Sequence, residues 1–287
     1  MATDFRPKLL LSEISMFLII QVLALIVGWK LIQQVELPKP PETATELVIQ
    51  IAPMLIALLI ATVFMLLFIK YLKGPTSSKL FFALILFVGI NIVFSAFLPS
   101  LIALILTGFI IAARFMKPNV FIHNIAFFIA LAGVGARLGT LLPVLAIIVL
   151  LILLSIYDFI AVFKTKHMVT MFKGMLKQGI PMGIVITENP MQFAHDIGKV
   201  SATKLRQTKK KLDFIMLGGG DLAFPALFAV AALTQFGLLE ALGVIVGAVG
   251  GIILIHTLIV KKEFKALPAL PPIAAFSILG FLISLLL

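Results

Sequence analysis

Apolar runs long enough to cross a bilayer recur along this chain from Ile14 to its last residue, Leu287. A bilayer core offers no water to hydrogen-bond the main chain, so such runs fold as helices unless they close into a barrel. Hydropathy places nine spans: Ile14–Ile32, Leu47–Ile69, Leu80–Phe97, Leu101–Ala113, Val120–Ala136, Leu141–Phe163, Leu212–Phe236, Leu238–Val260 and Leu267–Leu287. Pro99 separates the third from the fourth. The expected fold class is therefore all-α, a polytopic membrane protein with nine transmembrane helices. Only 12% of residues are charged and 62% are hydrophobic, against about 25% charged in an ordinary soluble domain.

The net charge of +11 concerns topology, not nucleic acid. With the N-terminus placed in the cytoplasm, 20 of the 23 Lys and Arg residues fall on cytoplasmic segments. Only Lys30, Lys39 and Arg137 fall outside. An odd number of spans then puts the C-terminus outside, and the localisation is the cell membrane. The expected organisation is an N-terminal bundle at 1–163, a cytoplasmic loop at 164–211 and a C-terminal unit at 212–287. Most of the loop's basic residues read as a surface resting on anionic headgroups. No aromatic partners or nucleic-acid module accompany them. Within the loop, Met168–Leu176 could form a surface helix, and Gly179–Thr187 is a β-prone run between turn residues. The chain has no cysteine, which excludes thiolate catalysis and disulfides. No His pair has zinc-site spacing, so neither metal nor cofactor is expected. Oligomeric state is left open.

Of twelve acidic residues, only Asp158 and Asp221 lie well inside expected spans. A carboxylate there costs about 3 kcal/mol or more unless offset, which marks a functional site. Asp221 follows three glycines, Gly218, Gly219 and Gly220. These permit close approach of backbone or water and weaken the helix by roughly 1 kcal/mol each relative to alanine. Asp158 precedes Lys164 by six residues and Asp221 follows Lys211 by ten. At 1.5 Å per residue these depths are roughly 9 and 15 Å from the same face, so antiparallel spans can bring the acids together. Two carboxyl groups in a low-dielectric site share a proton. One can draw a proton from water while the other protonates a scissile carbonyl. Residue types alone leave proton or ion handling as an equal alternative. A third possibility is a catalytically dormant scaffold.

Three motifs alter that balance. Tyr157-Asp158 lies in the sixth span, Gly218-Gly219-Gly220-Asp221 matches G-x-G-D in the seventh, and Pro268-Ala269-Leu270 opens the ninth. Together, in this order and over the whole chain, they resemble the presenilin and signal peptide peptidase family of intramembrane aspartyl proteases, in particular its compact archaeal members. The resemblance implies peptide hydrolysis within transmembrane segments, with Asp158 and Asp221 as the catalytic pair. It implies that Tyr157 and Gly218–Gly220 belong to the active-site motifs. Pro268, Ala269 and Leu270 would lie against the site and bind substrate. The inferred orientation resembles presenilin and is opposite to signal peptide peptidase. The glycine at 219 departs from the larger residue usual in the family. Prepilin-type peptidases share a G-x-G-D acid but lack the Pro-Ala-Leu context. The prolines at 268, 271 and 272 cannot donate main-chain hydrogen bonds, and irregular backbone at membrane depth requires a neighbouring cavity or protein. An unwound substrate is expected to pair as a strand near Leu212–Gly218 or Leu267–Leu270. In the eighth span Gly243, Gly247 and Gly251 share one face with room for a close neighbouring helix.

Overall fold

A computed structural model describes residues 7–34, 75–163, 181, 183–187, 214–262 and 268–287, with scattered positions between 43 and 60. The elements are α1 (Pro7–Ile32), α2 (Pro75–Phe97), α3 (Ser100–Met116), α4 (Val120–Leu141), α5 (Val144–Phe163), β1 (Gly183–Thr187), β2 (Phe214–Gly218), α6 (Gly219–Gln235), α7 (Leu238–Lys262) and α8 (Leu270–Ser284).

The expectation of nine helical spans does not hold. Among the described residues there are eight helices, and four are long and apolar enough to cross a membrane. These four are α1, Thr76–Phe97 of α2, α4, and Leu238–Leu258 of α7. Hydropathy counts apolar residues whatever the backbone does, and that is the source of the error. The expected span at Leu212–Phe236 begins instead as a strand, Phe214–Gly218, and becomes helical only at Gly219. The expected start at Leu267 is delayed to Leu270, with prolines in the first turn of α8. The expected span at Leu47–Ile69 lies largely outside the described residues, as do Met168–Leu176 and most of the loop at 164–211. The fold is also not purely helical. β1 and β2 pair antiparallel, with Gly183 opposite Gly218 and Val185 opposite Met216. The β-prone run at Gly179–Thr187 contains β1.

The core is centred on α6. Pro225 through Leu233 are all buried, so this helix has no lipid-facing side there. α1 buries one stripe, including Glu13, Phe17, Ile20, Gln21, Ala24, Val27 and Leu31, at the three- and four-residue spacing of a single helix face. Its opposite face exposes Leu11, Val22, Ile26 and Trp29. In a bilayer such a surface meets acyl chains, so helix association depends on fit and not on apolarity alone. The glycine face of α7 provides that fit. A Cβ at Gly247 would collide with the Phe276 carbonyl oxygen, and one at Gly251 would lie 2.6 Å from the Ile273 Cα. Gly280 of α8 meets the Gly243 carbonyl in the same way. The α7 and α8 backbones therefore touch.

Candidate active site

Asp158 sits in the last two turns of α5 and is only 7% exposed. Its neighbour Tyr157 faces outward, 56% exposed, as successive helical residues diverge by about 100°. The structure therefore does not bury Tyr157 with the acid it precedes. α5 is otherwise apolar, and its outer face exposes Ile152, Ile156, Phe159 and Ile160.

Asp221 arrives from the other direction. β2 runs in extended conformation to Gly218, which has φ −64° and ψ 147° and caps α6. Asp221 then falls in the first turn of α6, where unpaired main-chain N–H groups favour a carboxylate. The Gly218 N–H is a hydrogen-bond donor to it. A Cβ at 218 would lie 2.9 Å from Asp221 Oδ2, so the glycine leaves room for the carboxylate to fold back on its own cap. Gly219 is crowded from the other side: a Cβ there would lie 3.1 Å from the Phe127 ring. Gly220 is looser, with Phe224 Cε2 at 3.4 Å. Pro225 lies inside α6 and has no N–H for the Asp221 carbonyl four residues earlier. The helix is thus slackened at the acid.

The two acids are within range of each other's charge. The third sequence motif meets them here. Pro268 and Leu270 are buried and Ala269 is half-buried, and the Leu270 main chain faces Asp158. A main-chain group thus faces each acid, Gly218 at Asp221 and Leu270 at Asp158. A groove of about 450 Å³ opens between α5 and α8, and neither acid lines it. Ile152, Ser155 and Ile156 line one wall, and Pro271, Ala274 and Ile278 the other. Among the described residues no group of three or more His, Asp or Glu could hold a metal.

Several polar contacts around the site escaped the reading of the sequence. Gln21 of α1 is fully buried and its Nε2 donates to the Leu222 carbonyl, 3.1 Å away. An amide in the middle of an apolar run was the available signal. Glu13 and His256, both at expected span ends, form a buried contact of 3.0 Å between α1 and α7. Arg114, counted on a cytoplasmic segment, is 3% exposed. Its Nε donates to His123 Nδ1 at 3.0 Å.

The chain matches a family model described as signal-peptide peptidase, presenilin aspartyl protease, over residues 14–287. No curated protein sequence matches it. Its fold is similar to two crystal structures of a presenilin family intramembrane aspartate protease. The one in space group P2 has 23% identity and a TM-score of 0.65, covering 99% of this chain and 98% of that one. The one in C222 has 22% identity and a TM-score of 0.63, covering 96% of each.

Proposed function

This chain belongs to the signal-peptide peptidase and presenilin family of intramembrane aspartyl proteases, which hydrolyse peptide bonds of transmembrane segments, and we propose that Asp158 and Asp221 are its catalytic pair. The observation that carries this reading is that the two acids come within range of each other's charge inside an apolar bundle, beside the Gly218 and Leu270 main chain. One proton is shared between them. The ionised carboxylate takes a proton from water, whose oxygen attacks the scissile carbonyl carbon. The protonated carboxyl gives its proton to the carbonyl oxygen. Collapse of the resulting diol breaks the C–N bond: one diol hydroxyl returns a proton to the carboxylate that had protonated the carbonyl, and the other carboxyl passes the proton taken from water to the leaving amine. The products are a carboxylic acid and an amine, and the pair again holds its single shared proton. One water is consumed per bond cut, and both acids are regenerated. Both acids and the main-chain groups that face them come from one chain, from the two units 1–163 and 212–287.

A substrate helix hides its peptide bonds in its own ladder and must unwind first. We place the unwound segment as an added strand on β2, an orientation supported by the extended backbone that leads from Phe214 to Gly218 and then to the acid. Gly218–Gly220 then serve as the flexible approach, while Pro268, Ala269 and Leu270 form the wall behind Asp158. The ends of α1 and α8 support opposite faces for the termini. Glu13, near the start of α1, meets His256, near the end of α7, and α8 runs back from that end. The basic-residue distribution assigns the starting face to the cytoplasm.

The test is cleavage of a purified transmembrane reporter peptide in detergent by the unmodified chain, Asp158→Asn and Asp221→Asn. Loss of all product in each folded variant is expected. Product surviving in either removes that acid from the pair.

A further inference from the structure

A two-stranded sheet has two outer edges, and here they differ. Gly183 and Val185 of β1 turn their main-chain groups away from β2, towards α4. Asn124 of α4 donates from Nδ2 to the Val185 carbonyl at 2.8 Å. Its Oδ1 accepts from the Val185 N–H at 3.0 Å. One side-chain amide thus offers the donor and acceptor that a neighbouring strand would offer. One residue earlier, His123 Nε2 donates to the Gly183 carbonyl at 2.9 Å. Its other nitrogen, Nδ1, accepts from Arg114, which fixes the proton on Nε2. All three side chains are buried. The His123 ring packs against both Phe82 and Phe127, with centroids 5.9 and 5.4 Å away. Phe127 is also the ring against Gly219.

The antiparallel register determines what remains open. Val185 faces Met216 and Gly183 faces Gly218. Directly opposed residues point their main-chain groups either both inward or both outward. Because Gly183 and Val185 point outward, Met216 and Gly218 do so on the far edge of β2. That edge ends three residues before Asp221.

We propose that Asn124, backed by His123 and Arg114, is a positioning residue that stands in for a third strand. It closes the outer edge of β1 and locks the register of β1 on β2. Of the sheet's two edges, that leaves the Met216–Gly218 edge for an extended substrate to join, through the Met216 main chain and the Gly218 carbonyl, and the register decides which of its peptide bonds reaches the acids. A slip of two residues keeps every side chain on its own face, so it is the error that this clamp suppresses. The proposal rests on the proteolytic reading.

The test uses the full chain in detergent with a peptide carrying one transmembrane segment, reading kcat, KM and, by mass spectrometry, the bonds cut. Asn124→Asp keeps the acceptor for the Val185 N–H and loses the donor to its carbonyl. The expected result is a folded protein with kcat/KM lowered about tenfold and new products displaced by two residues. A merely structural role would lower yield without moving the cleavage position. Unchanged bonds in the folded variant, with activity that tracks the folded fraction, overturn the proposal. Should Asn124→Asp not fold, His123→Phe, which keeps the ring packing and loses the donor for Gly183, is read in the same way. Displaced products support the clamp and unchanged products overturn it. Absence of product from the unmodified chain would overturn the proteolytic reading, and this proposal with it.

Discussion

Replacing Gly218 by alanine separates the two motif glycines on physical grounds. The backbone at 218, with φ −64° and ψ 147°, is open to any L-residue, so the substitution strains no dihedral angle. The added Cβ would instead lie 2.9 Å from Asp221 Oδ2, where ordinary contact begins at 3.4 Å. The carboxylate must retreat by about 0.5 Å, since it is the movable partner. A misplacement of about 1 Å can cost about 100-fold in rate, so half of it gives about tenfold, or about 1.4 kcal/mol. Gly220→Ala is the internal comparison. Its Cβ would meet Phe224 at an ordinary 3.4 Å, and alanine favours the helix by up to about 1 kcal/mol. It should retain activity within about twofold and melt no lower than the unmodified chain. The assay is kcat/KM on a transmembrane reporter peptide, with the thermal midpoint measured on the same samples. Equal losses at 218 and 220, or an unimpaired Gly218→Ala, would refute displacement of Asp221 as the mechanism.

Two further outcomes follow from packing. Ala275 lines the groove between α5 and α8, and Ala275→Trp should raise KM about fivefold, roughly 1 kcal/mol of binding, with kcat unchanged. A lowered kcat with unchanged KM would show that substrate does not use the groove. Gly247→Val drives a side chain into the Phe276 carbonyl and should destabilise the fold by about 3 kcal/mol, seen as a lower melting midpoint in detergent. Gly108→Ala, with nothing within 4 Å, should not; equal midpoints for the two would contradict the close α7–α8 contact.

The candidate acids were legible because Asp158 and Asp221 interrupt apolar runs, and a charge in hydrocarbon is costly enough to be conspicuous. Helix boundaries followed where apolar runs ended at proline, as at Pro99 before α3. The strand at Phe214–Gly218 was legible only as backbone for a substrate to pair with, inside a segment otherwise read as a helical span. Its residues are as oily as those of a span, and its partner β1 lies some thirty residues earlier, beyond any local period. The Asn124 contact with Val185 was hidden for the same reason: 61 residues separate them, and an asparagine near a helix start reads first as a local cap. Asn119 is the residue that caps α4, accepting from the Ile122 N–H. The burial of Arg114 was not legible, because counting positive charges assigns a membrane face but does not show which cations fold inward.

The two acids are unequally mounted. Asp221 begins a helix whose middle has no outer surface, from Pro225 to Leu233. Asp158 rides on α5, which packs on α6 and α8 and leaves Ile156, Tyr157 and Phe159 more than half exposed. One acid is thus mounted on a helix enclosed by protein and the other on a helix with one side open. In a bilayer that open side of α5 meets acyl chains, so lipid as well as protein forms the surroundings of the helix that carries Asp158.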